Sequence, residues 1–308
     1  MKDQFSLEPE KFFSRIGFAL TFSMISVNLV QLIVAGIMAI INPNLLMTDW
    51  ANFFLIGISF YAVGFPLAYF LVRKIPTVIP KENNSLTGWQ FIKYSLVSYT
   101  VMILLNFLTI VLLSLIEIFK SQSIMNPTEQ VILTGSPLLS LLCVVILSPI
   151  IEEVLFRKVI LNRIRIYGDE IAIVFTGVAF GLYHGNLSQF FYATALGMIL
   201  AYMVLQTNRL RYSIGVHMFV NAMGSLVIPF LIGDGSDLIK TQIVGFIGII
   251  MMALGTILLV KNYKKVTFSS GSIIIPKEHF LQTVCFNRGV FTYLLFSISM
   301  ITMVVLMI

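Results

Sequence analysis

The sequence predicts an all-α protein, a polytopic transmembrane helical bundle with about eight to nine spans. Three observations carry this. Of the 308 residues, 58% are hydrophobic and only 11% are charged, where soluble domains average about 25% charged. Mean hydropathy is +0.95 over the whole length. Apolar runs of bilayer-crossing length recur along the chain, with polar or turn-rich connectors between them.

The expected spans fall near 16–41, 53–72, 92–117, 137–160, 171–185, 187–206, 212–232, 241–260 and 290–308. They make a single integral membrane domain over 1–308, with a core at about 137–232 and flanking spans over 16–117 and 241–308. The first run exceeds the 7–15 apolar residues of a signal peptide, so it is expected to stay as a span. Connectors are Asn42-Pro43-Asn44, Pro76 to Thr87, Ser121 to Gly135, and Gly233-Asp234-Gly235-Ser236.

The segment 171–185 has an apolar core of only about 13 residues, short for a crossing. Loop charges decide for a crossing. With the N-terminus cytoplasmic, the 20 Lys and Arg residues all fall inside except Lys120 and Lys240; Lys2 and Lys81 are among the inside set. Without that crossing, Arg209, Arg211 and every later basic residue beyond 260 would lie outside. The segment is therefore expected to be short because protein rather than lipid surrounds it. It carries Gly177, Gly181 and Gly185, and the next span carries Ala193, Gly197 and Ala201 at the same spacing. Small residues at that spacing let helix backbones approach closely. The formal charge of +6 would suit nucleic acid, but its placement in short loops is that of membrane topology, so no nucleic-acid partner is expected. The expected location is a cell (plasma) membrane. Cys143 and Cys285 form no metal spacing and no disulfide framework.

Chemistry concentrates at Ile150-Ile151-Glu152-Glu153-Val154-Leu155-Phe156-Arg157. Ionisable residues at membrane depth cost about 2.5–3.5 kcal/mol each on insertion scales, so they need partners or a purpose. Glu153 and Arg157 are i and i+4 in the favourable order, which predicts an ion pair. Glu152 points about 100° away from Glu153 on a helix, so it is free to enter a cavity.

Of the three histidines, His279 lies in a loop and is expected to be solvated. His184 ends the short span in Phe180-Gly181-Leu182-Tyr183-His184, where Tyr183 is expected to pack rather than react. His217 and Asn221 are i and i+4 on one helix face. The helix carrying Glu152 is expected to run on to a turn at Tyr167-Gly168-Asp169, with Asp169 and Glu170 as cap and dipole partner of the next helix. Glu152 and His184 are each 16 residues from Gly168. In an antiparallel hairpin that is equal depth, about 24 Å from the turn. His217 and Asn221 lie about 12–18 Å beyond Arg209 along their own helix. The hairpin must then protrude into the cytoplasm for the depths to agree, with Arg163, Arg165, Asp169 and Glu170 in water. A carboxylate beside an imidazole can take a proton from water and pass it to a leaving amine. A second imidazole and an amide can donate to a developing oxyanion.

These residues resemble a known family, the CAAX prenyl protease and bacteriocin-processing (Abi) intramembrane proteases. Its motifs E-E-x-x-x-R, F-x-x-x-H and H-x-x-x-N occur here in order as Glu152-Glu153 with Arg157, Phe180 with His184, and His217 with Asn221. The resemblance covers roughly 137–232. It implies a CAAX-type endopeptidase in which Glu152 and His184 activate water while His217 and Asn221 form the oxyanion hole. It leaves Glu153, Arg157 and Phe180 as structural support. It also implies a membrane-associated peptide or protein substrate.

No cofactor is expected, with zinc as the alternative: Glu152 and two histidines could ligate it, yet the helical H-E-x-x-H spacing is absent. Two other functions stay open: a non-catalytic membrane immunity or scaffold protein of the same fold, and a proton-coupled transporter. A transporter usually shows two repeated halves, and no repeat is visible in the sequence.

Overall fold

The computed structural model describes residues 8–78, 84–120, 135–233 and 235–306. Lys2, Lys81, Asp234 and the 121–134 part of one connector lie outside the described residues. Among those described there is no strand, only a single β-bridge between Gly168 and Ser270. Eight helices are long and apolar enough to cross a membrane. In chain order the helices are α1 (Pro9–Ile41), α2 (Asp49–Val72), α3 (Gly88–Lys120), α4 (Pro137–Tyr167), α5 (Asp169–Tyr183), α6 (Leu187–Thr207), α7 (Leu210–Ile232), α8 (Leu238–Lys265), α9 (Phe280–Val284) and α10 (Arg288–Leu306). All but α5 and α9 have spanning length.

The segment expected at 171–185 is α5, a helix of 15 residues. Most of its length is buried against protein, including Ala172, Thr176, Gly177, Phe180 and Tyr183. Its partner is α6. A side-chain carbon on Gly177 would collide with Met198 and one on Gly181 with Thr194 and the Phe190 carbonyl, and one on Gly197 would meet the Gly177 backbone at 3.1 Å. In lipid, van der Waals packing at such close approach drives helix association. Gly185 does not belong to this packing stripe. It sits past the end of α5 at φ +63°, turning the chain toward α6. Backbone crossings of the same kind join α1 to α10 at Gly17 and Gly289, and α3 to α8 at Gly255. The outer helix α8 buries only Gly255.

Helix α4 is not a uniform α-helix. Residues Ser140–Leu147 and Val154–Leu161 wind in the wider i→i+5 pattern, and the short α segment Ser148–Glu153 lies between them. Such π stretches mark functional sites often enough to direct attention there. Pro149 has no N–H, so in this register the Val144 carbonyl has no helical donor. The Asn221 amide on α7 supplies one at 3.0 Å.

Helices α4 and α5 form the expected antiparallel hairpin about Gly168 (φ +107°). Phe156 and Phe180, equally far from Gly168 on the two arms, meet edge-to-face at 5.1 Å. The environment of the turn differs from expectation. Asp169 does not cap α5; Gly168 is the cap residue, and the Asp169 carboxylate accepts from the Ser269 N–H at 2.9 Å. The Asp169 N–H returns a bond to the Ser269 carbonyl at 3.0 Å, and the Ile273 N–H donates to Ile166 at 3.2 Å. The strap 266–276 thus covers the turn.

Arg163 is also not in water. It is 5% exposed and donates to the carbonyls of Val72, Arg73 and Val159. The carbonyls at the end of α2 sit at the negative end of the helix dipole, which favours a cation; the Val72 carbonyl also accepts from the Ile75 N–H at 2.9 Å. Asp169 is buried as well, whereas Glu170 is exposed.

Candidate intramembrane active site

Five elements build the site: α4 supplies Ser148, Glu152, Glu153 and Arg157, α5 supplies Phe180 and His184, α7 supplies His217 and Asn221, and α1 and α2 close around them. The ion pair expected from i,i+4 spacing is present. Arg157 Nε stands 3.2 Å from Glu153 Oε2, with both side chains 0% exposed. The Nη1 and Nη2 atoms of Arg157 make no hydrogen bond among the described residues. The guanidinium lies 5.0 Å from the Phe180 ring and 5.9 Å from the Phe156 ring instead. Aromatic faces attract a cation, and this gives Phe180 a reason to be aromatic.

Glu152 points the other way, as its phase on the helix requires. The Ser148 hydroxyl one turn earlier donates to Glu152 Oε1. Glu152 Oε2 lies 3.7 Å from His217 Nε2. The other ring nitrogen of His217, Nδ1, is 3.3 Å from Glu153 Oε1. His217 therefore stands between the two adjacent carboxylates, 3% exposed.

His184 is held where α5 ends. Its carbonyl accepts from Asn186 Nδ2 at 3.0 Å, and Asn186 Oδ1 caps α6 by accepting from the Gln189 N–H at 2.9 Å. Phe180 meets the His184 ring at 5.0 Å and the His217 ring at 5.7 Å, both edge-to-face. His184 is within electrostatic reach of both Glu152 and His217. No hydrogen bond or ion pair joins it to Glu152, however. The imidazole nearest that carboxylate is His217, at 3.7 Å. Asn221, with one N–H on Val144, keeps a second N–H for another acceptor.

Two contributors were missed from the sequence. Ser148 was legible: it is i−4 to Glu152, and that spacing puts the two side chains on one face. Tyr61 on α2 was not, because nothing local links it to α4. Its hydroxyl lies beside Ser148 and 3.4 Å from the Cys143 carbonyl. Tyr61 and Ile151 also line a cavity of about 790 Å³ between α2 and α4, together with Phe65, Tyr69, Leu155 and Lys158. Tyr183 packs as expected: it shares a 2.5 Å hydrogen bond with Ser23 of α1 and lies edge-on to Phe156 at 5.5 Å. His279 is exposed in its loop.

Residues 134–223 match the family described as type II CAAX prenyl endopeptidase, Rce1-like. The chain carries an Rce1-like domain. That family is one of proteases. The match contains every residue of the site except Tyr61 and the α1 contacts, and it ends just beyond Asn221. No curated protein and no solved structure matches the chain. Among the described residues, no three His, Cys, Asp or Glu side chains are grouped to hold a metal ion. Glu152, His184 and His217 do not make such a set. The donor arrangement does not fit zinc.

Proposed function

We propose that the chain is an intramembrane endopeptidase, hydrolysing a peptide bond in a membrane-associated peptide or protein. The observation that carries this reading is the division of labour between adjacent carboxylates. Glu153 is engaged by the Arg157 guanidinium, while Glu152 is left with a hydroxyl donor and an imidazole and no Lys or Arg side chain within bonding distance among the described residues. A carboxylate in that position can act as a base.

In the proposed reaction Glu152 takes a proton from water as the water oxygen attacks the scissile carbonyl carbon. The free N–H of Asn221 donates to the oxyanion, worth about 2.7–4 kcal/mol for one good donor. Glu152 then gives its proton to the leaving amine as the C–N bond breaks. The two imidazoles of His184 and His217 flank this path. Glu153, Arg157 and Phe180 hold the elements together. The loop charges support a cytoplasmic N-terminus; the proposed location is the plasma membrane, with the site reached from the cytoplasmic side.

The test is cleavage of candidate membrane peptides, prenylated CAAX peptides and peptide precursors among them, by the purified protein and by Glu152→Ala. Cleavage by the parent and none by the variant supports the reading. No cleavage of any of them by either would favour the non-catalytic immunity or scaffold reading.

A further inference from the structure

His217 has a partner on each side, and the two partners differ in kind. On the Nδ1 side is Glu153, whose charge is held by Arg157 and which is closed off from solvent at 0% exposure. An ionised carboxylate only accepts, so the 3.3 Å contact to Glu153 Oε1 requires a hydrogen on Nδ1. In a neutral imidazole the hydrogen bond made by one nitrogen sets the state of the other. Nε2 then carries a lone pair and accepts. Phe180, standing edge-on to the ring at 89°, resists a flip that would exchange the nitrogens.

On the Nε2 side is Glu152 Oε2, at 3.7 Å. Two acceptors do not bond each other, and this separation exceeds that of a hydrogen bond. Two acceptors on the two O–H groups of one water molecule, each at about 2.8 Å, stand roughly 4.4 Å apart, so a small opening of the 3.7 Å gap admits one. The other oxygen of Glu152 is already taken by Ser148, so Oε2 is the atom left for that water.

Resting on the hydrolytic reading above, we propose that Glu153 is a positioning residue that holds His217 in the Nδ1–H form, making Nε2 the second acceptor for the attacking water beside Glu152 Oε2. The proton on the Glu152 side is transferred as the O–C bond forms, and Glu152 later delivers it to the amine nitrogen as the C–N bond breaks. The second O–H stays intact, oriented by Nε2, until the product acid loses that proton. His217 thereby serves the water rather than the oxyanion, and the oxyanion is left to Asn221 and donors other than His217.

The experiment is nitrogen NMR of the full-length protein in lipid nanodiscs with ¹⁵N-labelled histidine. There are three histidines, so His184→Asn and His279→Asn assign the His217 signals. The expected result at neutral pH is a hydrogen on Nδ1 and a bare Nε2. A hydrogen on Nε2, alone or with one on Nδ1, overturns the proposal. This reading needs no activity and no variant of the site's acidic residues. The double variant Glu153→Leu with Arg157→Leu removes the clamp without leaving an orphan charge. It is expected to lose the Nδ1–H preference and about 10²-fold in kcat with KM unchanged. A double variant that keeps full kcat overturns the positioning role. If no membrane peptide is cleaved while the Nδ1–H form is seen, the hydrolytic reading fails and the Glu153–His217 assignment stands.

Discussion

The two faces of α4 at residues 152 and 153 differ in what surrounds them. One face is closed: Glu153 and Arg157 are 0% exposed and bound to each other, under the rings of Phe156 and Phe180. The other face is less so. The Glu152 side chain is 13% exposed, bonded to a serine and near an imidazole, with Tyr61 within electrostatic reach. A carboxylate paired with a guanidinium is stabilised as an anion and makes a poor base. Placing two carboxylates in succession lets one satisfy the buried arginine while the other meets a hydroxyl and an imidazole. The difference between the faces comes from a single residue step of about 100° on the helix.

The sharpest way to break the comparison is at the open face. Glu152→Gln is expected to cut turnover by about 10²–10⁴-fold, the range for a positioned base, with thermal stability near that of the parent. A large loss of stability would show that Glu152 is as structural as its neighbour. At the closed face the signs reverse. Arg157→Ala leaves Glu153 buried and unpaired, at a cost of about 3–5 kcal/mol, read as a lower unfolding temperature and folded yield. Normal yield and stability with activity lost would move Arg157 to the catalytic side.

Asn221 lies between these cases, since its amide serves α4 and has a second N–H to spare. Asn221→Ala is expected to lower kcat about 10²–10³-fold with little change in KM. A change confined to KM would make it a substrate contact. Asp169→Ala, far from both faces, removes one charged hydrogen bond to the strap and is expected to cost about 1.5–3 kcal/mol of stability, measured as unfolding temperature. The smallest effect concerns metal: prolonged chelation is expected to leave cleavage unchanged. Loss on chelation with recovery on added zinc would contradict the donor arrangement.

What was legible in the sequence follows from range. The spans, the Glu153–Arg157 pair, the opposite phase of Glu152, and the shared face of His217 and Asn221 are all set by residues within one or two helical turns. The hairpin register was also legible, because a turn fixes equal distances on both arms, and Phe156 against Phe180 shows it. What was not legible depends on elements distant in sequence. Arg163 looked like a residue for water until the carbonyls at the end of α2 appeared beside it. Asp169 looked like a helix cap until the strap supplied a backbone N–H. The nearness of Glu152 to His217 rather than His184 depends on how α7 docks. The π stretches contribute too, because they alter the phase that an α-helix would give.

The strap has a consequence for the order of events in biosynthesis. Asp169 and the Ser269 that bonds it are 100 residues apart in the chain. At a synthesis rate of about 5–20 residues per second, that is roughly 5–20 s. The α4–α5 hairpin, with Glu152 and His184 on it, emerges from the ribosome before the segment that latches its turn has been made. During that interval the turn at Gly168 has open backbone groups where Ser269, Ser270 and Ile273 will later sit. The nascent chain thus has Glu152 and His184 threaded into the bilayer before the hairpin's turn is latched.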